Sequence, residues 1–384
     1  MRSFTKNIFI KLIIVSMALA MALTFSIYGC SGQEPVEQQP QDEQPAEEES
    51  SGDKQPAEGQ EEQEQEEGTE GGLHQKIITG NINILSGLEI SEQINDSRPI
   101  AVMIENSPDS RPQSGLSLAD VVFEIVDEGG VTRYVAIYSS YDAEKLGPVR
   151  SARQYYGEVA RSFDPIYAFW GTYPEGYKLI ENMGMDVLSV LGDQSGNSSI
   201  TAQASHWRDD SRVAPHNGYM STLQLKEDAQ RLGYAVDGGQ SPFMFKLDAP
   251  LSERGTIDQV TVDFSYEQYK AVYEYDSENN NYLKYVGNAA HMDRETGEQI
   301  VASNIVVMIT DIANSGDDAG HMIVRTTNGG KAFFFMDGEV IEGTWDRKSV
   351  SEPFDFKDDQ GNDILFNRGT TWISMVESVD RVIY

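Results

Sequence analysis

The chain has 384 residues, with 62 acidic side chains against 29 basic ones and a formal net charge of −33. So acidic a chain argues against nucleic acid as a partner, because neutralising phosphates requires clustered Lys and Arg. One cysteine in the whole sequence excludes an internal disulfide.

At the N-terminus, Arg2, Lys6 and Lys11 precede the apolar run LIIVSMALAMALTFSIYGC, which predicts a secretory signal over residues 1–30. The run stops at Gly29-Cys30 rather than at stop-transfer charges. Cys30 therefore reads as the acylated (palmitate-bearing) N-terminus of a bacterial lipoprotein, with an uncleaved signal anchor as the alternative. Ile27 and Tyr28 depart from the usual lipobox residues. Residues 31–72 follow with fifteen acids, Lys54 as the only base, no aromatic and a single Val. Such a segment cannot bury enough surface to offset its ordering entropy, so a disordered acidic linker is expected. Its like charges extend it. The expectation is a folded part tethered to the cell membrane through lipid at Cys30, on the extracytoplasmic face.

From about residue 95 the pattern becomes that of a folded protein. RPIAVMIEN, LADVVFEIVDEGG and TRYVAIYSS predict strands, with DEGG a hairpin turn whose acids face solvent. Ser151 and Gln154 fit a capping box, and Tyr155, Val159, Ala160 and Phe163 recur at helical spacing, predicting a helix over 151–163. PIYAFWG predicts a buried strand. PEGYKLIENMG has Pro at its start and Gly past its end, as helices do, and residues 221–232 predict a further helix closed by Gly233. From about residue 240 short β-forming runs alternate with turn clusters such as DSENNN and ANSGDDAG. KAFFFM among them predicts a core strand. The expected fold class is α/β (α+β): a mixed-sheet α/β domain over 73–238, then a smaller, mostly antiparallel β domain over 239–384.

Two groups of side chains suggest a site. The first is Arg111, Asp120, Arg133, Arg150 and Arg153, near expected strand ends and loops. Arg150 and Arg153 flank a helix start, the positive end of the helix dipole, where a bound anion would balance them. Pairing with neighbouring carboxylates is the alternative. The second group is the loop SHWRDDSRVAPHN, holding His206, Arg208, Asp209, Arg212, His216 and Asn217, residue types used for acid–base work or metal binding. No ligand spacing of a known metal site occurs, so no metal is expected and a structural role for the loop stays open. His74 at the linker edge, and His291 and His321 in the β-rich half, read as structural.

RPIAVMIENSPDSRPQSGLSLADVVFEIVDEGGVTRYVAIYSS, followed by GPVRSAR and RVAPHN, closely resembles the YerB family of bacterial lipoproteins. HMDRETGEQIVASNIVV and GTTWISMV extend the resemblance over the folded part. It implies a two-part extracytoplasmic region and no assigned activity. LADVVFEIV and GPVRSAR are also similar, more faintly, to the LytR-CpsA-Psr family of wall-polymer ligases. Those enzymes bind a polyprenyl pyrophosphate with arginines and with carboxylates that hold Mg²⁺. Asp120 stands at that family's Asp position, with Leu118 and Ala119 in place of its Arg and Ser. Arg150 matches an Arg whose following Asp is missing.

Three functional readings follow. One is a binding module for an anionic cell-envelope ligand, such as a wall precursor or polymer, or for a wall-associated protein. Another is an envelope-polymer phosphotransferase with an arginine-lined pyrophosphate site, the only reading in which Mg²⁺ enters as a cofactor. The third is a scaffold that docks on a membrane protein through its β-rich half.

Overall fold

A computed structural model describes residues 77–384. The signal, Cys30, the acidic linker and His74 lie outside the described residues. Ile100–Glu105 (β1), Val121–Val126 (β2) and Thr132–Tyr138 (β3) are almost wholly buried. Strands covered on both faces carry continuous apolar runs instead of alternation, which is why these segments were legible as strands. β3 pairs antiparallel with both β1 and β2. Along the free edge of β1, Ile166–Phe169 (β4) and then Asp186–Ser189 (β5) add in parallel. Helices Gln154–Arg161 (α1) and Pro174–Glu181 (α2) precede these two strands. Thr222–Leu232 (α3) ends, as expected, at Gly233 with φ +78°, a left-handed conformation that glycine adopts without strain.

The second half builds two structures. Gln259–Val262 (β6), Ala271–Asp276 (β7) and Asn281–Val286 (β8) form an antiparallel sheet, extended by short strands at 289–290 and 382–383. Asn304–Ile309 (β9), Gly330–Met336 (β10), Glu339–Asp346 (β11), Asp355–Asp358 (β12) and Thr371–Val376 (β13) instead join the first sheet. Its order is β12-β11-β10-β9-β13-β2-β3-β1-β4-β5. Five of these ten strands come from each side of residue 238. The expected division at 238/239 therefore does not divide the sheet. The junction is the parallel pair β2–β13, in which Val122 lies beside Trp372 and Phe123 beside Ile373. Its backbone bonds satisfy the edge groups that β2 would otherwise bury unpaired.

The large sheet has a core on each face. On one face Phe123, Tyr167, Ile373 and Phe334 meet Tyr156 and Val159 of α1, Ile180 of α2, and an aromatic group including Phe243, Phe356 and Phe366. On the other, Val122, Tyr134 and Trp372 meet Leu225 of α3 and Val260, Tyr273 and Tyr282 of the second sheet.

The start of α1 differs from the expected capping box. The helix begins at Gln154 with Arg153 as its N-cap, and no side chain caps it. Tertiary bonds explain the shift: Val149 bridges Ile104, the Arg150 amide donates to Met103 O, and the Ala152 amide donates to Gly171 O. Residues 149–152 are thereby held extended, out of reach of a cap. Gln154 turns its side-chain amide to Glu158 instead, at 2.8 Å.

Candidate functional site

The five residues expected to gather around an anion separate into four environments. Asp120 lies at the start of β2, where its carboxylate accepts from the backbone amides of Ser139 (2.6 Å) and Ser140 (2.9 Å). Burial raises its pKa against these hydrogen bonds, which lower it. Arg133 pairs in register with Ile125 near the far end of β2, five residues or about 17 Å along the strand. Asp120 is thus a structural anchor and does not meet the arginines.

Arg133 and Arg153 are bound to the β2–β3 turn. Arg133 contacts the Asp127 carboxylate at 2.7 Å and donates to Ser151 O at 2.9 Å. Arg153 grips Glu128 through both Nε and Nη2, and gives Nη1 to Ala152 O at 2.7 Å. The Tyr155 hydroxyl donates to Asp127 at 2.9 Å. The turn acids are therefore committed, not solvated as expected: Asp127 is 1% exposed. Burial would raise the pKa of Glu128, but hydrogen bonding from Arg153 and the charges of Arg153 and Arg133 prevail, holding it down at about 2. Arg111 is held apart from them by Asn106: Nε donates to Asn106 Oδ1 (2.9 Å) and Nη2 to Asn106 O (2.8 Å), with the guanidinium over Tyr269.

Arg150 differs. It belongs to a node centred on Glu105, the charged residue that ends the apolar strand β1. One carboxylate oxygen of Glu105 accepts from Arg150 Nη2 (2.6 Å) and from Ser107 Oγ (2.7 Å), and lies 2.9 Å from His216 Nδ1. The other oxygen is buried without a partner. His216 with its Nδ1–H donated to Glu105 keeps Nε2 as an outward acceptor; once protonated, it offers a second donor there. Among the described residues, the Arg150 side chain makes this one hydrogen bond. Its remaining N–H groups are uncommitted, and the side chain is 25% exposed.

This node joins the two groups that the sequence left apart, because His216 belongs to the polar loop. Most of that loop's polar side chains bond within the protein. Asp209 receives Lys145 at 2.8 Å. Arg212 donates to the Asp109 and Pro112 carbonyls. Asn217 accepts from Arg208 at 2.6 Å, and the Arg208 guanidinium lies 4.3 Å from the Trp170 ring centre. The His206 ring meets Trp170 edge to face, with centroids 5.1 Å apart. Among the described residues no group of three His, Cys, Asp or Glu is placed to hold a metal.

Comparison with known proteins bears on this site. Residues 85–235 match the N-terminal domain, and residues 260–373 the C-terminal domain, of a family described as proteins of unknown function, DUF3048. YerB of Bacillus subtilis (strain 168), named as a lipoprotein, is 32% identical over 298 residues, covering 77% of this chain and 86% of its own. The chain belongs to the YerB family. A crystal structure of the Bacillus subtilis YerB protein superposes with a TM-score of 0.68 at 31% identity, covering 79% of this chain and 98% of that one. The likeness to the LytR-CpsA-Psr family is not shown by these comparisons. The Asp120 carboxylate, which that likeness would set beside Mg²⁺, accepts from two backbone amides.

Within the YerB framework, every side chain of the Glu105 node falls in the segment matched by the N-terminal domain. The C-terminal segment supplies the support behind it. His291 Nε2 lies 2.8 Å from Gln113 Oε1, while Gln113 Nε2 donates to Glu105 O. Asp293 accepts from the amides of Gly115 and Ser117. Sequence reasoning missed Glu105 and Ser107. The available signal was a carboxylate closing an otherwise apolar strand, next to a turn.

Proposed function

We propose that this YerB-family lipoprotein is a membrane-tethered, extracytoplasmic binding module that holds an anionic group of a cell-envelope ligand at Arg150 and His216. The tether would be lipid at Cys30 followed by the acidic linker. The observation that carries the reading is the unequal commitment of the arginines. Arg111 and Arg133 each give two nitrogens to the protein and Arg153 gives all three, whereas Arg150 gives one N–H to Glu105 and keeps the rest of its fork beside His216. A guanidinium with donors to spare is suited to a carboxylate or phosphate. Glu105 aims both side chains and keeps the node charge-balanced until a ligand arrives. A wall precursor or polymer supplies such anions, as does an acidic segment of a wall-associated protein. A phosphotransferase using Mg²⁺ would need carboxylates free to hold the ion; Glu105, Asp127 and Glu128 are paired with the arginines, and Asp120 stands at the opposite end of β2.

The test is a thermal-shift titration of the 384-residue chain in detergent with inorganic pyrophosphate, a sugar phosphate and a muramyl carboxylate, with and without Mg²⁺. Ligand that binds only the folded state raises Tm by mass action. A rise that is lost in Arg150→Ala and reduced in His216→Ala is expected. No rise with any of these anions would remove the site, and a rise that required Mg²⁺ would favour the enzyme reading.

A further inference from the structure

A second feature opens at the start of α1, and no residue of the Glu105 node lines it. A cleft of about 200 Å³ lies between the start of α1 and a ribbon made of Ile312–Asn314 and Met322–Val324. Among the described residues these two short strands pair only with each other, so the ribbon forms a wall outside the large sheet. The Tyr173 and His321 rings lie together in the lining, with centroids 4.5 Å apart and planes tilted by 33°. Gln154, Glu158, Asp317 and Arg153 stand around them, and Ile323, 59% exposed, gives an apolar rim.

The charges in this lining are already answered. Arg153 is held by Glu128 and Ala152 O, which leaves it little to offer an anion. Asp317 accepts from the His321 amide at 3.0 Å and lies 2.6 Å from its Nδ1. Glu158 accepts from Gln154 and from Thr326. Each of these carboxylates is oriented by its partners and keeps lone pairs for a further donor. What remains is an aromatic face bordered by planar side chains whose outer atoms can still donate and accept. That surface complements a ring with a C–H face and hydroxyl groups at its rim. The volume is below the roughly 300–1,000 Å³ of pockets that enclose drug-sized ligands, so it admits one ring and no more.

We infer that this cleft is a subsite for a single pyranose unit of a neutral saccharide. The C–H face of the sugar lies on the outer ring face of the stacked Tyr173–His321 pair, and its hydroxyls meet Gln154, Glu158 and Asp317. A ligand of so few atoms binds weakly, with a Kd on the order of 1 mM.

The experiment is a saturation-transfer NMR titration of the 384-residue chain, in a detergent without sugar, with the trisaccharide of N-acetylglucosamine. Butylammonium serves as the cationic comparison. Millimolar binding is expected, weakened at least tenfold in Tyr173→Ala and at least threefold in the exposed-site variant Gln154→Ala, and unchanged in Arg150→Ala. If Tyr173→Ala does not fold, Gln154→Ala decides. The inference is overturned by absence of sugar binding, by binding that Gln154→Ala leaves intact, or by butylammonium binding as well as the sugar. Because Arg150, Glu105, Ser107 and His216 do not line the cleft, failure here leaves the anion site standing, and the reverse also holds.

Discussion

Lys284 Nζ lies 3.0 Å from Glu124 Oε2, with neither side chain exposed to solvent. The pair joins the two sheets, since Glu124 is on β2 and Lys284 on β8. The ammonium also lies over the rings of Trp372 and Tyr273, at 4.3 and 4.5 Å from their centres, and donates to the Tyr273 hydroxyl at 3.0 Å. The second carboxylate oxygen accepts from Thr132 at 2.9 Å and Asn106 at 3.2 Å. Burial lowers the Lys284 pKa, and Glu124 counters it. Lys284→Met strands a buried carboxylate and should cost about 3–5 kcal/mol. Adding Glu124→Leu should restore at least half of that loss. Urea unfolding measures both, and a single-variant loss under about 1 kcal/mol would contradict a dry, mutually dependent pair.

Glu105 should fasten the polar loop to the end of β1. Glu105→Gln keeps the shape but removes the charge that receives Arg150, Ser107 and His216. The expected cost is about 1–3 kcal/mol. Amide hydrogen exchange should quicken selectively over residues 206–217. Uniform acceleration across the protein would instead mean global destabilisation.

His291 sets an acid limit. Burial, then the positive charges of Lys284 and Arg111, push its pKa well below the ordinary 6.5. The folded protein therefore keeps it neutral while the unfolded chain takes up a proton below about pH 6.5. Its contribution is fully present above that pH and is lost as pH falls below it, with a slope of up to about 1.4 kcal/mol per pH unit. Denaturation midpoints from pH 7.5 to 5 should show this decline. His291→Gln should flatten it, and an unchanged slope in that variant would refute the assignment.

Gly218 makes room for Trp170. A Cβ built there would lie 2.4 Å from a Trp170 ring carbon. Gly218→Ala should cost about 1–3 kcal/mol through overpacking. It should also turn the indole away from Arg208, seen as a change in tryptophan emission. An unaltered spectrum and stability would show that the ring moves without cost.

Local pattern was enough for the elements that bury an apolar face. Tyr155, Val159 and Ala160 recur at helical spacing and do reach the core; IAVMIE and VVFEIV are apolar runs that both sheet faces cover. Gly233 closes α3 because a left-handed residue is needed at that point of the chain. These outcomes follow from interactions within a few residues, so they are written in the order of the residues. The YerB resemblance, carried by motifs in sequence, was legible for the same reason.

Strand order and ion pairing obey a different logic. With 62 acidic residues available, a buried arginine takes whichever carboxylate the folded backbone brings to it. His216 reaches Glu105 across 111 positions and Lys284 reaches Glu124 across 160. The Ser151–Gln154 capping box is lost because backbone bonds to Met103 and Gly171 hold the segment extended. The halves expected as separate domains share one sheet because β13 supplies the hydrogen bonds that β2 needs on its free edge. Pairings of this kind are chosen by distance in space and by the cost of burying an unsatisfied polar group, neither of which is recorded in sequence separation.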